Sequence, residues 1–188
     1  MKNKLITKQN ILVVIVIALL LIPQTRQPIQ IVLHKGLSFV NQSTIIDKEE
    51  RKNISYENWQ LISDNGHHLN LTDLKGKVIF INFWATWCPP CIVEMKSLDQ
   101  LYNEFNDSVV FLYITNDDLE TVQKFMDKNN YSFRVYNPIN KIPDELVAKS
   151  IPRTFIINKK GEIAVDEKGA INWYSDKVKE QLNHLLTE

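Results

Sequence analysis

The chain has 188 residues, 44% of them apolar, and its 22 basic and 22 acidic side chains leave no formal net charge. That length suits one domain plus an extension. The balanced charge, with no basic patch along the chain, argues against nucleic acid as a partner. No internal repeat or low-complexity tract interrupts it.

Residues 1–23 read as a signal anchor. Lys2, Lys4 and Lys8 precede an unbroken apolar run of 12 residues, 11–22. Leu5 and Ile6 lengthen the run and Lys8 could snorkel, against about 20 residues for a comfortable span. No small-x-small cleavage site follows, only Pro23-Gln24-Thr25-Arg26-Gln27, which favours an uncleaved anchor over a cleaved signal peptide. The lysines would then stay in the cytoplasm and the domain would face outward. Either reading puts the cysteines where disulfides persist. Residues 24–55 read as a connector, with a weakly apolar patch at 29–40 and a charged stretch at 47–52. The patch could lie on a membrane surface, but a loosely packed tether with a short helix is the simpler expectation. The folded domain is expected over residues 56–188.

Within it, residues 58–71 alternate around Asp64-Asn65-Gly66, a hairpin signal. His67 and His68 adjoin the turn. Neighbours in a strand face opposite sides, so no metal is expected there. Residues 72–77 turn into Val78-Ile79-Phe80-Ile81-Asn82-Phe83, a short β-branched and aromatic run that reads as a buried strand. Trp84-Ala85-Thr86-Trp87 then leads to Cys88-Pro89-Pro90-Cys91, which holds both cysteines of the chain. From Pro90 to Phe105 the apolar positions Cys91, Met95, Leu98, Leu101, Tyr102 and Phe105 fall on one helical stripe.

Proline suits the first helical turn, because the amide it lacks would be unpaired there. Cys88 is therefore expected at a helix N-terminus and Cys91 one turn further in. Residues three apart on a helix share a face, and a disulfide needs Cα atoms about 5.5 Å apart. The helix start carries roughly half a positive charge, which favours a thiolate, the reactive form. Cys88 is then the nucleophile and Cys91 the resolving thiol. A structural bridge, a metal site and two core cysteines compete with this reading. A bridge closing so short a loop removes little chain entropy. Zinc wants about four ligands, and there is no second cysteine pair. The strand–turn–helix setting favours redox work. Glu94 lies one turn after Cys91 on a neighbouring face: either a solvated acid favoured by the dipole, or a proton relay for the dithiol.

Residues 109–114 form a second buried strand. Asp117 or Asp118 can cap the helix that follows, and Asp117 with Glu120 fits a capping box. Val122, Phe125 and Met126 face inward. A short strand at 133–136, a loop at 138–149 with a short helix after Pro143, and a strand at 154–157 come next. The repeated strand–helix–strand pattern predicts a parallel sheet core. Asn158-Lys159-Lys160-Gly161 closes a hairpin with residues 162–166. Residues 173–186 form a last amphipathic helix with Val178, Leu182, Leu185 and Leu186 inward and His184 at the surface.

The stretch NFWATWCPPC resembles the active site of the thioredoxin superfamily. It is most similar to the membrane-anchored, extracytoplasmic thiol–disulfide oxidoreductases of the TlpA/ResA type. The likeness runs from about Trp59 to the C-terminus and includes LTDLKGK and Ser150-Ile151-Pro152-Arg153-Thr154-Phe155. It implies an α/β, thioredoxin-like fold, a central mixed sheet flanked by helices, behind an N-terminal membrane anchor. It implies thiol–disulfide exchange on protein substrates, with no organic cofactor and no metal, and with a membrane-embedded or extracytoplasmic electron donor. Members of this group generally act as reductants, in cytochrome c maturation for example. The resemblance lifts Glu94 into the site beside Cys88 and Cys91. It also makes Pro152 the cis-proline facing the dithiol. Ile151 would then pair with an extended substrate by strand addition, and Trp84 and Trp87 would shield the sulfurs, Trp87 touching substrate. Two positions depart from thioredoxin: Asn82 stands where a buried aspartate is usual, and Lys96 replaces a helix-kinking proline. A peroxide-reducing redoxin, or a copper-binding module using the two cysteines and a histidine, are the alternatives.

Overall fold

A computed structural model describes residues 8–38, 40–56 and 59–188. Lys2, Lys4, Leu5, Ile6 and Asn58, which the sequence reading used, lie outside them. Seven strands form one sheet in the order β2-β1-β5-β4-β3-β6-β7: β1 Gln60–Ser63, β2 His68–Asn70, β3 Val78–Phe83, β4 Val109–Ile114, β5 Val135–Pro138, β6 Arg153–Ile157 and β7 Ile163–Lys168. The expectation of a parallel core holds for β3, β4 and β5 only. The outer strands β1, β2, β6 and β7 pair antiparallel, which makes the sheet mixed.

Every residue of β3 is buried, because both faces of the sheet are covered. Its side chains alternate. Phe80 joins the side chains of three helices, α3 (Pro89–Phe105), α4 (Leu119–Asn129) and α5 (Asp176–Thr187), through Leu98, Val122 and Leu182. Ile79, Ile81 and Phe83 meet Trp59, Leu71, Leu74 and Leu146 on the other side. The same alternation puts Asn82 on the side of Phe80, toward α3.

The stripe expected on α3 is present, with Cys91, Met95, Leu98, Leu101 and Phe105 buried, and α3 runs unbroken through the exposed Lys96. The starts of β5 and α5 move, and one of the two candidate caps of α4 is taken. β5 begins two residues later than expected, because Phe133 leaves the strand to pack on the Tyr113 ring, 4.1 Å between centroids. α5 starts at Asp176, where the Ser175 side chain caps it by accepting from the Val178 N–H, so Trp173 lies ahead of the helix and is buried. α4 is capped by Asp118, which accepts from the Thr121 N–H at 2.9 Å; Asp117 does not cap it.

Two helices precede the domain, α1 (Lys8–Leu21, 14 residues) and α2 (Pro23–Ser38, 16 residues). Among the described residues no helix is long and apolar enough to cross a membrane. The connector is also more ordered than a loose tether with a short helix. α2 packs along α3. Beyond it, the chain lies beside β7: Ile46 N–H donates to the Ala164 carbonyl at 2.8 Å, Ile163 N–H to Lys52 at 2.8 Å and Ile54 N–H to Gly161 at 2.9 Å. The physical reason is the unpaired edge of β7, whose backbone groups this segment satisfies. Arg51, nearly buried, fixes it by pairing with Glu188 at 3.1 Å.

Candidate active site

β3 ends at Phe83, and five residues later the chain enters α3. Cys88 is the N-cap of that helix, and Pro89 and Pro90 occupy its first positions. Neither proline carries an N–H, so Cys91 supplies an early amide donor, and it donates to Cys88 Sγ at 3.3 Å. A sulfur anion at Cys88 therefore meets a hydrogen-bond donor and the positive end of the helix together. The two sulfurs are bonded, with Cα atoms 5.3 Å apart, as the one-turn spacing requires. Both residues are buried, Cys88 at 3% exposure and Cys91 at 0%.

The loop before Cys88 is held by one of the two acids that could have capped α4. Asp117, just past β4, accepts from Thr86 N–H at 2.7 Å, from Thr86 Oγ1 at 2.8 Å and from Trp87 Nε1 at 3.1 Å. Asn137 steadies that corner by donating to the Thr115 and Asp117 carbonyls. Asp117 or Asp118 was expected as the helix cap, and Asp118 takes that role, which leaves Asp117 for the loop. One signal was available: two adjacent acids followed a parallel strand, only one could cap, and sites gather at the C-terminal ends of such strands.

Glu94 is not a solvated acid. It is 1% exposed. Its Oε1 accepts from Asn82 Nδ2 at 2.8 Å, and its Oε2 from Trp173 Nε1 at 2.9 Å and from Ile171 N–H at 3.3 Å. Burial pushes its pKa up to about 8, and those three donors oppose the rise. Asn82 Nδ2 also donates to Thr154 Oγ1 on β6 at 2.9 Å, two residues past Pro152. Buried Tyr113, on β4, has its phenol pushed well above the usual range, chiefly by burial, with Asp99, then Tyr102, then Glu94 adding to the rise. Trp173 was read only as part of a helix; its distance in sequence from Glu94 hid the contact.

The Ile151–Pro152 peptide bond is cis. Ile151 and Trp87 line one groove of about 170 Å³, with Ile142, Val147 and Asp117 on its walls. Trp87 is 65% exposed over it. Trp84 is buried in the core with the two cysteines and packs on Phe125, 5.5 Å between ring centroids. A second cavity, about 470 Å³, lies between α2 and the CPPC turn, where Arg26 and His34 face Trp87, Pro89 and Pro90. His67 and His68 are exposed at the hairpin. Among the described residues no three His, Cys, Asp or Glu side chains gather to hold a metal ion.

A model of the AhpC/TSA family matches residues 54–165. The chain is similar to thiol-disulfide oxidoreductase ResA of Halalkalibacterium halodurans, 35% identical over 61% of this chain and 66% of the relative. It is 30% identical to ResA of Bacillus cereus over 84% of this chain and 91% of that one. The solved structure of a DsbF homologue from Corynebacterium diphtheriae superposes with a TM-score of 0.60, covering 75% of this chain and 93% of the other. At 20% identity that likeness speaks for the thioredoxin-like fold alone.

Proposed function

The chain belongs to the AhpC/TSA family, and on that premise we propose that it is a thiol–disulfide oxidoreductase that reduces protein disulfides outside the cytoplasm. One observation carries the reading: a bonded cysteine pair whose first sulfur, on Cys88, accepts a backbone N–H at the start of α3. In the reduced enzyme the Cys88 thiolate attacks one sulfur of a substrate disulfide. A Cys88–substrate disulfide forms and the other substrate sulfur leaves as a thiolate. Cys91 then loses its proton and attacks Cys88 Sγ, which releases the second substrate sulfur as a thiolate and closes the Cys88–Cys91 bond. Two electrons pass from the pair to the substrate, and a dithiol donor must return them.

Glu94 takes the role of proton carrier for Cys91. A carboxyl poised at about 8 exchanges protons near neutral pH. The substrate lies extended along Ile151 and Pro152, pairing through its backbone, with Trp87 against its side chains. The apolar α1 and the lysines ahead of it tether the domain to the outer face of a membrane, although α1 alone spans only about 21 Å at 1.5 Å per residue. A role like that in cytochrome c maturation fits a tethered reductant.

Insulin reduction driven by dithiothreitol tests the activity, and an inactive wild type would end the reading. Fast oxidation of Cys88 by peroxide in that same inactive protein would replace it with a peroxidase. Equilibration with glutathione tests direction: a potential well below that of a dedicated oxidant, ~−120 mV, is expected.

A further inference from the structure

Both oxygens of Glu94 accept hydrogen bonds, yet the two sides of the carboxyl differ. Oε2 faces Trp173 Nε1–H and Ile171 N–H, an indole and a backbone amide. Each can only donate. A proton on Oε2 would point at donors, so a neutral Glu94 must carry it on Oε1. Oε1 faces one group, the Asn82 side-chain amide. With Nδ2 toward it, as here, that amide suits a carboxylate; against a carboxylic acid it would set N–H against O–H. Its far end, Oδ1, is buried without a partner. Unlike the indole and the backbone amide, a side-chain amide can present either end, donor or acceptor.

We propose that the Asn82 amide is a two-position switch that turns over with the charge on Glu94, Nδ2 facing the carboxylate and Oδ1 facing the acid. The turn has a second reader. Nδ2 also donates to Thr154 Oγ1, and Thr154 is 1% exposed. When Oδ1 comes round, the hydroxyl must reverse from acceptor to donor. Oδ1 then receives both the Glu94 Oε1–H and the Thr154 Oγ1–H. The observed orientation leaves Oδ1 unpaired and the turned one would leave the NH2 there, so the turn is driven only when the two hydrogen bonds that Oδ1 gains from the acid and the hydroxyl outweigh that cost.

The proton on Glu94 is thus reported, through Asn82, to β6 at a point two residues from Pro152. Asn82 touches no sulfur; it is a positioning residue that acts through Glu94. The groups facing Glu94 are Asn82 from β3, Trp173 and the Ile171 amide from the segment before α5, Tyr113 from β4 and the Cys88–Cys91 pair one turn earlier on α3. Among these Tyr113 titrates far above the Glu94 range, and the bonded cysteines do not titrate. The switch therefore follows one proton in the oxidised protein. Its consequence for catalysis rests on the reading of Glu94 as the proton carrier.

The test is a side-chain titration of the full chain with its disulfide intact, using 15N-labelled asparagine and 13C-labelled glutamate. The Asn82 Nδ2 and Hδ2 resonances are expected to shift with the same midpoint as Glu94 Cδ. In Glu94→Gln, whose amide N–H mimics the acid's O–H, the Asn82 signals should stay fixed at the values they take at low pH in wild type. Asn82 resonances that stay flat while Glu94 titrates overturn the switch and leave the proposed chemistry standing. A Glu94 carboxyl that does not titrate near neutral pH removes both the proton carrier and the switch. An amide that kept its orientation would also shift with that midpoint through its hydrogen bond, so orientation is read from the NOE between Asn82 Hδ2 and the Thr154 side chain it faces: the switch predicts that this NOE is lost when Glu94 is protonated, and an NOE that persists across the titration overturns it.

Discussion

The two ends of the first turn of α3 work in opposite surroundings. In front of Cys88 is an exposed rim. Trp87 stands in solvent, Asp117 ties the loop down through three hydrogen bonds, and Ile151, just before the cis Pro152, lines a groove. Behind Cys91 is a buried pocket, where Glu94 meets the neutral donors of Asn82, Trp173 and the Ile171 amide. The same kind of group, a carboxylate accepting three hydrogen bonds, does different work in each. At the rim it fixes geometry. In the pocket burial outweighs the donors and lifts the carboxyl into the range where it can exchange protons. The contrast teaches that three hydrogen bonds do not set a carboxyl's role; its distance from water does.

That comparison can be broken at several points. The largest effect is expected from the sulfurs. Cys88→Ser should lower insulin reduction by about 1000-fold or more, whereas Cys91→Ser should stall as a mixed disulfide visible by mass spectrometry. Glu94→Gln comes next, with a loss of about 100-fold in reduction rate near neutral pH and a flattened pH profile.

The stability of the same variant gives a separate readout. The folded Glu94 pKa, about 8, lies above the ordinary 4.5. Between those values the folded chain holds a proton that the unfolded chain has lost. Stability is therefore greatest below the lower value and falls as pH rises through the upper one. Urea unfolding should show that fall in wild type, on the order of a few kcal/mol in total, and Glu94→Gln should remove it. A wild-type stability flat across this range would mean that the pocket is wet.

Legibility in the sequence divided along the same line. The strand, the CPPC turn and the α3 stripe were readable, because local spacing specifies them. So was the hairpin at Asp64-Asn65-Gly66, where Gly66 sits at φ +82°. The pocket was not. Glu94 finds Trp173 79 residues away and Asn82 12 residues away, and helical periodicity placed Glu94 only beside the stripe. The hold of Asp117 on the loop was hidden for the same reason. Capping is a local rule and was satisfied by its neighbour Asp118, while the loop it holds lies 31 residues earlier. The packing of residues 40–55 depended on an unpaired β7 edge, which no pattern within those residues could announce.

Two smaller effects sharpen the rim. Asp117→Ala should cost about 1–3 kcal/mol, because the Thr86 amide and hydroxyl lose their partner, and should slow Cys88 several-fold while leaving the Glu94 titration where it was. Trp87→Ala should raise KM for a peptide disulfide by a few-fold with kcat nearly unchanged, since it removes contact area and no reacting group.

The central claim is that the start of α3 holds Cys88 as a sulfur anion. Alkylation of the fully reduced chain by iodoacetamide, followed residue by residue across mildly acidic pH, tests it most directly. Cys88 should react with iodoacetamide at pH ~6 much faster than free cysteine does, and Cys91 should lag well behind it. Two thiols that react alike, each no faster than free cysteine, would contradict the account.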